Sequence, residues 1–443
     1  MPTQADAMAK KQAKGRKTDG AGAEAPDGQR PGAGGSAADS QSSSGEGKAS
    51  SGKSGGGKAK KATPSKSAKS RPKRKSKATG SEKSPGKARQ SLPREIKRID
   101  HELIDLLQRR AKLVVEQSGA AEVATDLEFA RGIEEGELAA ALEGGRGPLS
   151  RRAVRSVFRE VVSGCRQLLR QTRVAMLGPE YSYSHLAALA HFGQGVEFVP
   201  VGSIPAVFEE VNRGHSDFGV VPIENSTDGR IADTLDMFTR LPVKVCGQIE
   251  MEIHHTLLGK CAREEVGEVY SKPQALSQCR NWLAKHLPGS RTIEVTSTTT
   301  AAQLAAEKPG AAAVASLQAG VHYGLDVLAE RIEDNPSNLT RFALIGDESP
   351  RRTGDDKTSI LFQTEHRFGA LVDVLAAFKR CRLNLTWIES FPVPGPERHY
   401  LFFVEVEGHE SDTRMRRALK SVEGKTLRLE VLGSYPASKL VEA

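Results

Sequence analysis

The stretch "FGVVPIENST", residues 218–227, decides the fold. Phe218 to Ile223 form a short apolar run, and Glu224, Asn225, Ser226 and Thr227 close it with a carboxylate, an amide and two hydroxyls. An apolar run of that length, bounded by polar residues, reads as a buried strand. The same texture recurs in "RVAMLG" (173–178), "EVGEVYSK" (265–272), "TIEVTS" (292–297) and "AAAVAS" (311–316). Each run ends in a small or polar cluster that opens a helical pattern. This alternation predicts an α/β domain over 172–349 with largely parallel strands.

Outward from there, the texture changes twice. From Lys357, "KTSILFQTEH", "GALVDVLAAFKRC", "LNLTWIESFP", "HYLFFVEVEG", "DTRMRRALKSV" and "LRLEVLGSY" give a βαββαβ pattern over 356–438, which predicts a ferredoxin-like α+β domain. On the N-terminal side, residues 91–171 read as helices. Ile96, Ile99, Leu103, Leu106, Arg110 and Leu113 recur at 3-4-3-4-3 spacing, a seam for helix packing. A last helix opens at "GPLS" (147–150), with Val154, Val157, Val161, Cys165 and Leu168 predicted on one face. The fold class is therefore multidomain: an all-α segment, an α/β domain and a ferredoxin-like module.

The first 90 residues are of another kind. They hold no Leu, Ile, Val, Phe, Tyr, Trp or Cys, and carry 21 Lys and Arg against 7 Asp and Glu. Such a segment cannot bury enough apolar surface to offset the entropy of ordering, so a disordered basic tail is expected. The remaining chain has 43 basic and 48 acidic residues, so the basic pI of about 9.2 belongs to the tail. "RPKRKSK" (71–77) has no aromatic residues between its charges to stack bases. Weak, nonspecific contact with anions or nucleic acid is the most expected of it. No secretory h-region and no apolar run long enough to span a bilayer is found. Cys165, Cys246, Cys261, Cys279 and Cys381 fit no metal spacing, which fits reduced, cytoplasmic thiols.

In the α/β domain the polar clusters fall where strands end and helices begin: "GPEYSYSH" (178–185), "PIENST" (222–227), "YSKPQALSQC" (270–279), "TSTTTAA" (296–302) and "NPSNLTRF" (335–342). Ligands bind outside such strand ends in open α/β sheets. The inventory is hydroxyls and amides: Ser182, Ser184, Asn225, Ser226, Ser271, Gln274, Gln278, Thr298 and Thr340. There is no HExxH, GxSxG, Walker loop or post-strand GxGxxG. The set suits orientation of a small acidic molecule without a metal or cofactor. Each Ser or Thr at a helix start is also an ordinary N-cap, so only their convergence carries weight. His254-His255 in "EIHHTLLG" reads as strand structure rather than as a ligand pair.

"GPEYSYSHLAA", "GVVPIENS", "VYSKPQALSQC" and "DNPSNLTRF" resemble, in order and spacing, the prephenate dehydratase family. The C-terminal βαββαβ segment resembles the ACT domain, and residues 91–171 resemble an AroQ-type chorismate mutase. Together the arrangement is similar to the P-proteins of phenylalanine biosynthesis. The resemblance implies a two-lobed α/β cleft similar to type 2 periplasmic binding proteins, in which prephenate becomes phenylpyruvate, carbon dioxide and water. It implies Thr340 as the hydroxyl that helps the ring hydroxyl leave. Asn225, Ser226, Ser271 and Gln278 would bind substrate, Arg341 would support charge, and Glu224 would be polar scaffold or acid. Tyr181 departs from the family's usual glycine and is expected to narrow the cleft mouth.

The resemblance also implies an L-phenylalanine site at a subunit interface, from Gly369, Ala370, Leu371, Asn384, Glu389 and Ser390, in a homodimer or homotetramer. Here the family's "ESRP" arginine is Phe391, and the proline before "GAL" is Phe368. In the mutase-like segment, Arg110 matches a family arginine. The other positions fall on Pro93, Ala121, Phe129-Ala130 (with Arg131 two residues on), Cys165 and Leu169. A charge-separated rearrangement needs several cations, so a degenerate mutase site is expected. A fully bifunctional enzyme and a non-enzymatic amino-acid sensor are the rival readings, and prephenate is not separated from arogenate.

Overall fold

The computed structural model describes residues 85–120, 147–227, 229–392, 400–437 and 440–442; the expected tail, to residue 84, lies outside them. The first helix, α1 (Pro85–Ala120), starts six residues before the expected boundary. Its seam is not covered by any described residue: Ile96, Ile99, Leu103, Leu106 and Leu113 are between 45% and 60% exposed. Helix α2 (Arg151–Gln167) is capped by Ser150, whose side chain accepts from the Ala153 N–H. Its buried face is rotated from the expected line. Val162, Ser163 and Cys165 are buried, while Val157 and Leu168 are exposed. The cause is its docking partner: the helix packs on residues 193–195, where Gly195 donates to Ser163 Oγ at 2.8 Å and Gln194 to Glu160 at 2.9 Å.

The α/β region forms two lobes. The first is built on β1 (Arg173–Leu177), β2 (Glu197–Val201), β3 (Phe218–Asn225), β4 (Gly229–Arg230) and β5 (Lys244–Glu252). The second lobe takes β6 (Thr256–Gly259), β7 (Glu268–Ser271), β8 (Arg291–Glu294), β9 (Ala311–Ala315) and β10 (Asp326–Ala329). The chain then returns to the first sheet as β11 (Leu339–Gly346). A last short strand, Leu440–Glu442, joins the edge beside β5. The first sheet runs from that strand through β5, β11, β3 and β1 to β2, with β4 on β3; the second runs β10-β6-β9-β7-β8.

The expectation of largely parallel strands is met only in part. β1 is parallel to β2 and β3, and β7 to β8 and β9. β11 is antiparallel to both β3 and β5, and β6 to both β9 and β10. The physical reason is the double crossing: β5 leaves the first lobe and β11 re-enters it, so the two lie side by side in opposite directions.

Helices α3 (Tyr183–Phe192), α4 (Ile204–Asn212) and α5 (Ala232–Arg240) cover the first sheet. In the second lobe, α6 (Pro273–Gln278), α7 (Arg280–His286), α8 (Thr298–Glu307) and α9 (Leu317–Tyr323) do the same. Ser182, Ser203, Ser297 and Ser316 are N-caps, each accepting from the N–H three residues on.

The C-terminal module is an antiparallel sheet of β12 (Asp356–Thr364), β13 (Leu385–Pro392), β14 (Tyr400–Glu407) and β15 (Arg428–Pro436), in the order β13-β14-β12-β15. One face carries α10 (Ala370–Arg380) and α11 (Thr413–Glu423) over Ile360, Phe362 and Val404. The other face joins the core of the first lobe, where Leu361, Phe403, Leu432 and Tyr435 pack with Phe208, Val221, Phe238 and Ile345. Gly433 permits this approach: a Cβ there would lie 2.1 Å from the Val245 carbonyl oxygen. Among the described residues no helix is long and apolar enough to cross a membrane.

Candidate active site between the lobes

The strand closed by the polar end of "FGVVPIENST" meets "NLTRF" in register: Thr340 pairs with Asn225, and Arg341 with Glu224. Side chains alternate across a sheet, so these two pairs face opposite ways. Thr340 and Asn225 lie where the chain crosses between lobes. There Ile253 donates to the Asn338 carbonyl at 2.8 Å, and Ile332 to the His255 carbonyl at 2.9 Å.

The polar groups at the crossing orient one another. The Thr227 N–H donates to Asn225 at 2.9 Å. A backbone N–H can only donate, so that atom is the amide oxygen, and the Asn225 NH2 turns the other way. It donates to Thr340 Oγ1 at 2.8 Å and to Asn338 Oδ1 at 3.1 Å. The Asn338 NH2 then donates to Gln278 Oε1 at 2.9 Å. Thr340 Oγ1 is thereby an acceptor, and no described residue takes its proton. Asn338 is 2% exposed and Thr340 8%, so this is a dry, pre-oriented hydroxyl.

The other expected site residues fall elsewhere. Ser226 Oγ accepts from the Leu339 N–H at 2.9 Å and donates to the Ser337 carbonyl, tying β3 to the returning chain. Ser271, expected to bind substrate, is wholly buried, and its hydroxyl donates to the Val314 carbonyl at 2.6 Å. Its proton is directed into the core of the second lobe.

Glu224 and Arg341 are corrected in the same way. Strand alternation sends them to the face covered by the C-terminal module. Arg341 donates to Glu224 at 2.6 Å, contacts both carboxylate oxygens of Glu405, and lies over the Trp387 ring at 5.1 Å. A second ion pair, Arg230 to Glu389 at 2.9 Å, runs beside it, and the same guanidinium donates to the Ser390 carbonyl.

Tyr181 lies between β1 and α3. It holds φ +62°, the left-handed region that favours glycine. Its N–H donates to His185 at 2.8 Å, its carbonyl accepts from Ser316 at 3.2 Å, and its ring stacks on His322 with centroids 4.1 Å apart. Ser316 and His322 belong to the second lobe, so Tyr181 bridges the two lobes.

Gly369 precedes α10 in a left-handed conformation, with Ala370 and Leu371 opening the helix. Asn384 follows the other end of that helix and donates to Glu407. Eleven residues of helix span about 16 Å, so a single copy does not bring Asn384 to Gly369. Phe391 packs against the shared core, whereas Phe368 is fully exposed.

Arg110 carries a buried Nη1 with no hydrogen-bond partner among the described residues. Ala121, Phe129, Ala130 and Arg131 lie outside the described residues. Among the described residues no group of His, Cys, Asp and Glu is arranged to hold a metal ion.

Sequence reasoning passes over Asn338 and Tyr183, and reads as strand structure His255, which lies outside the strands. The Tyr183 hydroxyl donates to the His254 carbonyl at 2.7 Å, and His255 Nε2 meets Gln278 Oε1 at 2.9 Å. The available signal was the polar pair His254-His255 set between apolar Ile253 and Leu257.

A family model for prephenate dehydratase matches residues 174–350. The bifunctional chorismate mutase/prephenate dehydratase of Aquifex aeolicus is 42% identical over 357 residues, covering 79% of this chain and 98% of that one. A prephenate dehydratase from Arthrobacter aurescens, solved in complex with L-Phe, is 31% identical with a TM-score of 0.56, covering 60% of this chain and 90% of that one. The solved structure of GqqA, a quorum quenching acylase, is 26% identical with a TM-score of 0.55, covering 60% of this chain and 98% of that one.

Proposed function

The chain belongs to the family of bifunctional chorismate mutase/prephenate dehydratases and is a prephenate dehydratase; from this premise we propose that Thr340 is its catalytic hydroxyl. The observation that carries this reading is the direction of one hydrogen bond. Asn225 donates to Thr340 Oγ1, which leaves the Thr340 proton for the departing group. As the ring carboxylate is lost as carbon dioxide, the electron pair of the broken C–C bond enters the ring. The C–O bond then breaks, and the leaving hydroxide becomes water on taking a proton from solvent. A threonine hydroxyl is too weak an acid to protonate it outright. A hydrogen bond held ready for the developing negative charge is the available assistance. Thr340→Ala should lower kcat on prephenate by about 10²-fold or more; activity within a few-fold of the parent would refute the role.

Asn225 and Gln278 are the amides placed to hold substrate beside Thr340. The C-terminal module, residues 356–438, is read as an ACT domain that binds L-phenylalanine between two copies. Support comes from the separation of Asn384 from Gly369 within one copy, and from the exposed Phe368. Arg230 gives the effector a route to the active site. It holds Glu389 and Ser390, and lies five residues from Asn225 in the β3–β4 turn. The exposed seam of α1 supports a homodimer or homotetramer.

The mutase-like segment is read as inactive, since Arg110 keeps none of the expected charged partners at the matching positions. A second reading, a fully bifunctional enzyme, is favoured by one observation: the buried, unpartnered Nη1 of Arg110 suits an anion. A chorismate turnover assay separates the two.

A further inference from the structure

We propose that His255 is a positioning residue of the dehydratase site: its Nε2–H holds the Gln278 amide oxygen inward, so that Gln278 meets substrate only as a hydrogen-bond donor. The proposal deepens the reading above and rests on Gln278 being a substrate-binding residue.

The argument is one of direction, carried atom by atom from a single fixed donor. The Thr227 N–H fixes the Asn225 oxygen, the Asn225 NH2 fixes the Asn338 oxygen, and the Asn338 NH2 fixes the Gln278 oxygen. His255 Nε2 lies 2.9 Å from that same oxygen. A carbonyl oxygen only accepts, so Nε2 must carry the proton. The ring is 2% exposed, and the position belongs to the crossing between lobes rather than to a strand. On its other side, Nδ1 is 3.2 Å from the Tyr183 hydroxyl. In the neutral ring Nδ1 is bare, and the one Tyr183 proton, directed chiefly at the His254 carbonyl 2.7 Å away, is shared with it.

The surroundings keep the ring neutral. Burial lowers its proton affinity; the contact with Gln278 and the charge of Glu333 oppose the shift, and His254 adds to it. Glu333 also fixes the backbone, accepting from the His255 N–H at 2.9 Å and sitting 2.8 Å from His254 Nδ1. Tyr183 on α3 and Cys279 beside Gln278 are the other titratable groups nearby, and burial pushes both upward, so both are uncharged near neutrality. With two donors on its oxygen, Gln278 turns its NH2 away from them. That orientation suits a dianionic substrate, whose carboxylates accept and never donate.

The test uses the full-length protein with prephenate. His255→Leu removes one of the two donors on the Gln278 oxygen and leaves Asn338 alone to hold it; kcat/KM should fall about 10-fold, chiefly through KM. His255→Gln carries an amide NH2 near the Nε2 position and should restore kcat/KM to within about three-fold of the parent, the value expected for a retained hydrogen bond. A purely structural histidine would lower stability in both variants without this split. Gln278→Leu is measured beside them. If it is harmless, the binding role fails and the proposal with it. If it is harmful while His255→Leu is not, the positioning role alone is overturned. Should His255→Leu not fold, nitrogen-15 histidine spectra of the parent decide, with His255→Gln identifying the signal. A protonated Nε2 with a bare Nδ1 is expected, and the opposite tautomer overturns the proposal.

Discussion

Tyr181 occupies a backbone conformation made for glycine and is held there by contacts from both lobes. Tyr181→Ala removes the stack on His322 but keeps the strained backbone, whereas Tyr181→Gly removes both. The glycine variant should therefore be the more stable of the two by about 1 kcal/mol, read from urea midpoints; the reverse order would mean the strain is not real. His255 makes a second expectation. Its folded proton affinity lies below the ordinary value, so as pH falls the unfolded chain binds the proton first. Stability is then full above about pH 6.5 and declines below it, toward the folded pKa, by about 1 kcal/mol per pH unit. His255→Gln removes that contribution, so its urea midpoint should change less than the parent's between about pH 7.5 and 5.5. Equal changes in both proteins would contradict the assignment.

Among the elements, β11 is the one on which catalysis and architecture divide. Thr340 faces the cleft, and its neighbour Arg341 faces Glu405 of the C-terminal sheet, a carboxylate 2% exposed. Removing the guanidinium leaves that charge only Lys357, 3.9 Å away, so Arg341→Gln should cost about 3 kcal/mol of stability. Arg341→Met combined with Glu405→Met should cost much less than the two single changes summed. Arg230, on β4, tests the other contact. Arg230→Ala should blunt the response to L-phenylalanine while leaving kcat on prephenate within about two-fold, as expected for a half-exposed ion pair; intact inhibition would exclude this route. The sequence makes half of this legible. Runs such as "RVAMLG" and "AAAVAS" read as strands because they are apolar and sharply bounded. β5, "KVCGQIEME", is interrupted by charges and glycine, and nothing local marks β5 and β11 as the crossing pair. Consequently the motif "NLTRF" is visible, but not the alternation that gives Thr340 to the cleft and Arg341 to the module.

For the whole molecule, architecture alone does not fix the chemistry, since a quorum quenching acylase shares much of this fold. On the function proposed above, selection rests on the oriented chain from Thr227 through Asn225 to Thr340 and on the charged residues missing from the positions that match the mutase family. The central claim is that one chemistry survives in a chain whose relatives are named for two. Purified protein should be supplied with chorismate and, separately, with prephenate, and both substrate loss and phenylpyruvate followed. The expected result is phenylpyruvate from prephenate and no turnover of chorismate. Chorismate consumption with kcat above about 1 s⁻¹, within the ordinary enzyme range, would contradict it.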